Sequence, residues 1–296
     1  MSLVLALAVA VVGCGKPKET PSTGGNTGGS TSGVTGSIVA GGSTALQPLV
    51  DAAAQQFMAK NPGAQISVQG GGSGTGLTQV LQGGFQIGNS DLFAEEKLKP
   101  EEASQLKDHK VCVVAMAAVV HPGVGAKVTN LTKQQMIDIW TGKITNWKDV
   151  GGPDVKITLV NRPASSGTRA TFKKFALDGK EEAKGIEQEA SGTVKQIVSQ
   201  TPGAIGYLAL SYLDDSIKVV SLDGVAPTKE NVANGTYPVW AYEHMYTKGE
   251  PSGLTKAFLD YILSDEIQKT LVVQEGYIPI TDMKVERDAS GNVKKL

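Results

Sequence analysis

Cysteine and histidine are scarce in this chain of 296 residues, which contains two Cys and three His. Two Cys cannot form several disulfides, and so few sulfur and imidazole ligands leave little room for the common kinds of zinc site. The chain also has no excess of charge of either sign, because 28 Lys and Arg balance 29 Asp and Glu. The composition therefore gives no electrostatic reason to expect a nucleic acid as partner.

The signatures of several enzyme classes are missing as well. The sequence has no G-x-x-x-x-G-K-[ST] loop, its Gly-rich run 70–76 does not fit G-x-G-x-x-G, and it has no G-x-S-x-G nucleophile elbow. His109, His121 and His244 lack metal-ligand spacing and are interpreted as surface or turn residues. We therefore expect a protein that is not an enzyme and that uses no cofactor or metal.

The N-terminal segment has the features of a targeting signal. Residues 3–12 are ten consecutive apolar residues, too few to span a bilayer but typical of the apolar region of a signal peptide. The order Val11-Val12-Gly13-Cys14 resembles a bacterial lipobox, in which the Cys receives lipid after cleavage. This pattern predicts a signal peptide and lipobox over 1–14 with Cys14 as the lipidated residue. The alternative is a disordered apolar tail.

Residues 15–36 have the composition of a flexible linker, since 17 of these 22 residues are Gly, Ser, Thr or Pro. Together with the signal and Cys14, the linker predicts a globular domain held on the outer side of a cell membrane by a lipid anchor. Cys112 lies within the apolar run 111–120 and is interpreted as a buried thiol.

From residue 37 onward, short apolar strands alternate with amphipathic helices. Strand patterns at 37–42, 65–69 and 85–91 are separated by helix patterns at 44–60 and 76–84, and similar alternation continues to the C-terminus. This alternation predicts an α/β fold with largely parallel sheets.

Three loops between a predicted strand and a predicted helix are rich in Gly and hydroxyl residues: GGSTA (41–45), GGGSGTG (70–76) and RPASSGT (162–168). A helix N-terminus carries unpaired amide donors and about half a positive charge, and Gly lets the backbone approach an anion closely. One such loop is weak evidence, because Ser and Thr cap most helices. Three of them, one with an Arg, predict a site for a small tetrahedral oxyanion.

The motifs GGSTALQP, VQGGGSGTG, IGNSD and NRPASSGTRATF, in this order and spacing, resemble those of the phosphate-binding lipoproteins of bacterial phosphate ABC importers. The resemblance covers residues 37 to about 281 and implies a two-lobed, periplasmic-binding-protein-like fold. In that fold, two crossover strands join the lobes and the ligand lies in the cleft between them. It further implies that residues 37–113 plus 245–296 form lobe 1 and that 114–244 form lobe 2.

The resemblance also implies a set of phosphate contacts. Carried over by motif, they are Ser43, Thr44, Ala45, Ser73, Asp91, Arg162, Ser166, Gly167 and Thr168. One position departs from the family pattern. Some members have an Asp two residues after the Arg, where this chain has Ala164, so a carboxylate that orients Arg162 comes from elsewhere or is absent.

Asp91 suggests which anion the site prefers. A carboxylate repels an anion unless the ligand brings a proton, and phosphate near neutral pH can donate an O–H to Asp91 whereas sulfate cannot. Local sequence alone leaves open that Asp91 is a loop cap. The alternatives to a phosphate-binding protein are a binding protein for sulfate or molybdate, a phosphate-handling hydrolase and a surface adhesin.

The expected partners follow from the resemblance. They are inorganic phosphate, the permease subunits of an ABC importer with their ATPase, and the membrane through the lipid anchor. We expect no nucleic acid and a monomeric protein.

Overall fold

The computed structural model describes residues 33–296. The predicted signal peptide and lipobox, with Cys14, and nearly all of the predicted linker lie outside the described residues. Within 33–296, no helix is both long and apolar enough to cross a membrane.

The strands are β1 (Gly36–Gly42), β2 (Ala64–Gln69), β3 (Ile87–Ser90), β4 (Leu106–Val120), β5 (Asn130–Leu131), β6 (Thr158–Asn161), β7 (Ile186–Glu187), β8 (Ala204–Ala209), β9 (Lys218–Leu222), β10 (Trp240–Lys248), β11 (Val285–Arg287) and β12 (Val293–Lys295). The helices are α1 (Gln47–Lys60), α2 (Ser73–Gln82), α3 (Pro100–Ala103), α4 (Pro122–Gly125), α5 (Lys133–Trp140), α6 (Gly167–Ala176), α7 (Ser191–Gln200), α8 (Lys229–Ala233), α9 (Gly253–Ile262), α10 (Asp265–Lys269) and α11 (Leu271–Gln274).

One mixed sheet runs through the described chain in the order β2-β1-β3-β10-β4-β8-β6-β7, with β9 beside β4 and β5 beside β9. The outer pairs β1–β2, β1–β3, β6–β7 and β6–β8 are parallel. The central strands β4 and β10 are antiparallel to each other and to their outer neighbours β8 and β3. The expectation of largely parallel sheets is therefore wrong at the centre.

The reason lies in the path of the chain through the sheet. Strand β4 leads from the first half of the sheet, β1 to β3, into the second half, β6 to β8. Strand β10 leads back, so it must run in the opposite direction. Residues 106–115 of β4 pair with β10, and residues 116–120 pair with β8.

Local sequence explains where the helices that carry the loops begin and end. Helix α1 has a Pro in its first turn and ends before Asn61-Pro62-Gly63, which cannot extend it. Helix α2 begins at Ser73, three residues before the predicted start, and ends at Gln82, where Gly83 caps it in a left-handed conformation with φ 81°. Ser73 is therefore the first residue of a helix.

The main hydrophobic core extends along both halves of the sheet and includes large side chains such as Trp140, Phe172 and Phe258. Cys112 is fully buried in this core, as predicted. The interpretation of His244 as a surface or turn residue is wrong. It is fully buried in β10, and its Nδ1 lies 2.8 Å from Oδ1 of Asp108 on β4, a contact set by the β4–β10 pairing.

Candidate anion-binding site

The first predicted loop connects β1 to α1 and presents Ser43, Thr44 and Ala45, all buried. The Ser43 hydroxyl accepts hydrogen bonds from the backbone N–H groups of Ala45 and Leu46, each at 3.1 Å. The same hydroxyl donates a hydrogen bond to Oδ1 of Asp91. The Ser43 hydroxyl thus orders the first loop and also binds the carboxylate of Asp91.

The second loop leads into α2 and meets Asp91, which follows β3. The buried Ser73 hydroxyl accepts the backbone N–H of Asp91 at 2.9 Å. Asp91 itself is only 3% exposed. The second loop therefore holds the backbone of Asp91, while its side chain is left to other partners.

The third loop connects β6 to α6. Ser166 is the N-cap of α6, where its hydroxyl accepts the backbone N–H of Arg169 at 3.2 Å. The hydroxyl of Thr168 donates to Oδ2 of Asp91 at 3.0 Å. Asp91 is thereby held from both halves of the sheet, by Ser43 from the first and by Thr168 from the second.

Arg162 is buried at the start of the third loop, with 1% of its surface exposed. Its Nε donates to the carbonyl of Gln188 at 2.9 Å, and its Nη2 donates to the carbonyl of Glu189 at 2.8 Å. Nη2 also donates to Thr44 Oγ1 at 3.1 Å, and Nη1 donates to Ser191 Oγ at 3.2 Å. Two carbonyls and two hydroxyls therefore orient the guanidinium.

This arrangement settles the question raised by Ala164. Among residues 33–296, no carboxylate hydrogen-bonds the Arg162 side chain. Backbone carbonyls take the place of the Asp that the family pattern can have at position 164. Burial lowers the pKa of Arg162, while the negative charge of Asp91 acts in the opposite direction. A buried cation and a buried carboxylate thus stabilise each other across the cluster.

The two halves of the sheet are in direct contact at this site. The N–H of Gly74 donates to the carbonyl of Ser165 at 2.9 Å, and Lys97 Nζ donates to the carbonyl of Ala164 at 2.9 Å. Gly167 packs so closely that an added Cβ would lie 3.0 Å or less from side-chain atoms of Ser73 and Asp91. The cleft is closed in this structure.

All nine predicted site residues are buried within this one cluster: Ser43, Thr44, Ala45, Ser73, Asp91, Arg162, Ser166, Gly167 and Thr168. Sequence reasoning missed the fully buried Ser191 at the start of α7. Its hydroxyl lies 2.9 Å from Thr44 Oγ1, and its N–H donates to that same oxygen at 3.3 Å. The segment Ser191-Gly192-Thr193 has the Gly and hydroxyl composition of the three loops, which was the available signal.

Chemically, this cluster offers a cation, hydroxyl groups and helix N-termini together with one carboxylate, a combination suited to a small anion that carries a proton. Within the described part of the chain, no group of three or more His, Cys, Asp or Glu side chains is placed to hold a metal ion.

Comparison with known proteins agrees with this description. A family model described as a PBP superfamily domain matches residues 24–266. Fold and site therefore define a two-lobed α/β binding protein of this superfamily, as the sequence predicts.

Relatives narrow the assignment. The phosphate-binding protein PstS of Bacillus subtilis (strain 168) is 56% identical over 292 residues, which cover 98% of this chain and 96% of that protein. The phosphate-binding protein PstS of Borreliella burgdorferi is 30% identical over 81% of this chain and 88% of its own length. The chain belongs to the PBP superfamily and, within it, to the family of the PstS phosphate-binding proteins.

Two solved structures support the same assignment. A Clostridium perfringens protein, assigned to a phosphate ABC transporter as its substrate-binding component and solved with bound phosphate, is 35% identical. It aligns with a TM-score of 0.75 over 83% of this chain and 100% of that chain. An ABC-type phosphate transport receptor from Vibrio cholerae is 29% identical, with a TM-score of 0.64 over 82% of this chain and 100% of that chain.

Proposed function

We propose that this protein captures inorganic phosphate outside the cytoplasm and delivers it to the permease of an ABC importer. The protein binds its ligand without chemical conversion. The proposal is supported by the names and bound ligand of its relatives and by the composition of the site.

One observation carries the choice of phosphate. Asp91 is a buried carboxylate in the anion site, and the hydroxyls of Ser43 and Thr168 fix its two oxygens. A carboxylate has about four lone-pair positions, so each oxygen keeps one for another donor. Phosphate near neutral pH has an O–H to donate, whereas sulfate and molybdate bring none and leave two acceptors facing each other.

The remaining groups neutralise and surround the anion. Arg162 can meet phosphate oxygens with its Nη1 and Nη2 donors once the anion replaces the hydroxyls of Ser191 and Thr44, to which they donate in this structure. The hydroxyls of Thr44, Ser73 and Ser166 and the helix N-termini beside them can contact the other oxygens without adding net charge. We infer that the nine predicted residues form the phosphate site, with Ser191 supporting Arg162.

Titration calorimetry with phosphate, sulfate and molybdate tests this function. We expect phosphate to bind and the other two anions to bind about 10⁴-fold or more weakly, the discrimination possible where a required hydrogen bond is lost. Equal affinity for all three would contradict the role of Asp91. Incubation with a phosphomonoester should release no phosphate, and release would favour the hydrolase alternative.

Two further parts of the proposal concern location and architecture. We propose that Cys14 carries a lipid anchor on the outer face of the cell membrane, that residues 15–36 tether the domain, and that it works as a monomer with the permease and its ATPase. We also propose that residues 37–113 plus 245–296 and residues 114–244 move as two lobes. The resemblance of Val11-Val12-Gly13-Cys14 to a lipobox supports the lipid anchor. The central position of β4 and β10, which connect the two halves of the sheet, supports the division into two lobes.

A further inference from the structure

A second carboxyl group lies beneath the anion site. Glu243 is fully buried in β10, and neither of its side-chain oxygens has a hydrogen-bond partner among residues 33–296. In the antiparallel pairing of β10 with β3, His244 stands opposite Ser90. The next position on each strand therefore brings Glu243 opposite Asp91, and opposed side chains project from the same face of a sheet.

The surroundings of Glu243 contain little that could balance a negative charge. Cys112 stands directly across from it on β4, and burial raises the pKa of that thiol well above its ordinary value. Burial likewise raises the pKa of Tyr277 well above its ordinary value and that of Tyr212 to about 12. At neutral pH these three groups are uncharged. The charge of Asp91 acts on Glu243, and it also acts on the buried cation of Arg162.

Two ionised carboxylates side by side repel each other, and both are only acceptors. One proton converts the pair into a donor and an acceptor. We propose that Glu243 is a positioning residue of the anion site, which keeps its proton at neutral pH and donates a hydrogen bond to Asp91. The assignment of this role rests on the proposed function, whereas the protonation of Glu243 does not.

The energetics of the pair point in the same direction. Burial raises the pKa of Glu243 well above its ordinary value of 4.5, and the charge and acceptor oxygen of Asp91 raise it further. With Ser43, Thr168 and Glu243 as donors, three of the roughly four lone-pair positions of Asp91 are occupied. One position is left for the proton of the ligand, and the pair of carboxyl groups presents a single negative charge to the anion.

The protonation of Glu243 can be tested without phosphate. The measurement is the free energy of unfolding as a function of pH, for wild type and for Glu243→Gln. The unfolded chain releases the Glu243 proton above its ordinary pKa, whereas the native protein keeps it. As pH rises, wild type therefore loses stability relative to the Gln variant, by tenfold in the unfolding equilibrium constant per pH unit between about pH 5 and 7. Glu266→Gln, at an exposed carboxylate whose surface ion pair with Lys60 contributes little to stability, is the control and should show a nearly flat difference.

A flat difference for Glu243→Gln as well would mean that Glu243 is ionised in the native protein, and it would overturn the proposal. Infrared spectroscopy of the wild-type protein gives a second reading that needs no stable variant. We expect the wild type to show the C=O band of a protonated carboxylic acid at neutral pH. In Asp91→Asn this band should disappear at a lower pH than in the wild type, because the negative charge of Asp91 no longer acts on Glu243. Absence of that band from the wild type would equally refute the proposal.

The positioning role is tested by phosphate calorimetry on Glu243→Met and Glu243→Gln. Met has a similar shape but no donor, so we expect about tenfold weaker phosphate binding and a smaller preference over sulfate. Gln offers an N–H donor and should recover most of that loss. Equal affinities for the two variants would contradict the positioning role, and tenfold tighter binding by Gln than by wild type would show that Glu243 carries a charge. Failure of the wild type to bind phosphate would refute the proposed function but leave the protonation results standing.

Discussion

Gly167→Ala tests the closed cleft with a single methyl group. An ideal Cβ on Gly167 would lie 2.9 Å from Cβ of Ser73 and 3.0 Å from Cβ of Asp91, both across the cleft in the first half of the chain. Real Cβ atoms do not approach so closely, and neither neighbour is the end of a flexible side chain. The start of α6 must therefore move away from Asp91 when the cleft closes on its ligand.

The expected cost follows from the overpacking of a well-packed interior, about 1 to 3 kcal/mol. Because the clash exists only when the cleft is closed, it should weaken phosphate binding by roughly 5- to 150-fold. We expect the cleft to open in the ligand-free protein, so Gly167→Ala without phosphate should unfold no more easily than wild type. Ala in the first turn of a helix restricts the unfolded chain and can add about 0.4 to 1 kcal/mol of stability.

Calorimetry with phosphate and thermal unfolding without it measure the two effects separately. Gly192→Ala is the matched control, since it also lies at the start of a helix and its added Cβ would be 4.0 Å from the nearest neighbouring atom, on Tyr212. We expect wild-type phosphate affinity for this control. If Gly167→Ala binds phosphate as tightly as wild type, the two halves do not meet around the ligand as they do in this structure, and the reasoning fails.

Four other outcomes are expected. Arg162→Ala should weaken phosphate binding by about 2 to 5 kcal/mol, because it removes a buried charge-assisted contact, and an unchanged calorimetric affinity in the folded variant would remove Arg162 from the site. Asp91→Asn should lower the phosphate-to-sulfate affinity ratio by about a hundredfold or more, mainly through gain of sulfate binding, since the amide can turn an N–H toward an unprotonated oxygen; an unchanged ratio would make Asp91 a loop cap. X-ray scattering should give a smaller radius of gyration with phosphate than without it, and identical curves would argue against closure. Cys14→Ser should move the protein from the membrane pellet to the soluble fraction, and a variant that stays in the pellet must be anchored elsewhere.

Much of the site could be predicted from the sequence because its parts are local in the chain. A run of Gly, Ser and Thr between an apolar strand and an amphipathic helix places amide and hydroxyl donors at a helix start, whatever the rest of the fold does. This logic found the loops that carry Ser43, Ser73 and Ser166, and the motif resemblance singled out Asp91 and Arg162 among their neighbours. The alternation of strands and helices likewise predicted the α/β class.

The remaining features depend on contacts between distant parts of the chain. Local patterns predict a turn that presents Arg162, but they do not show that the carbonyls of Gln188 and Glu189 replace a carboxylate around its guanidinium. Ser191 joins the site because α7 begins beside Thr44, which is 147 residues earlier in the chain. Such pairs are decided by how the two halves pack.

Strand register decided which side chains Glu243 and His244 contact. Glu243 comes beside Asp91, and His244 beside Asp108, because β10 lies antiparallel between β3 and β4, with a register irregularity between Glu243 and His244. A shift of one residue would turn each side chain to the opposite face of the sheet. The sequence by itself determined the class of fold and the groups that can bind an anion. Only the tertiary structure decided which of the buried polar groups stand together, because burial and long-range pairing set their charges and their partners.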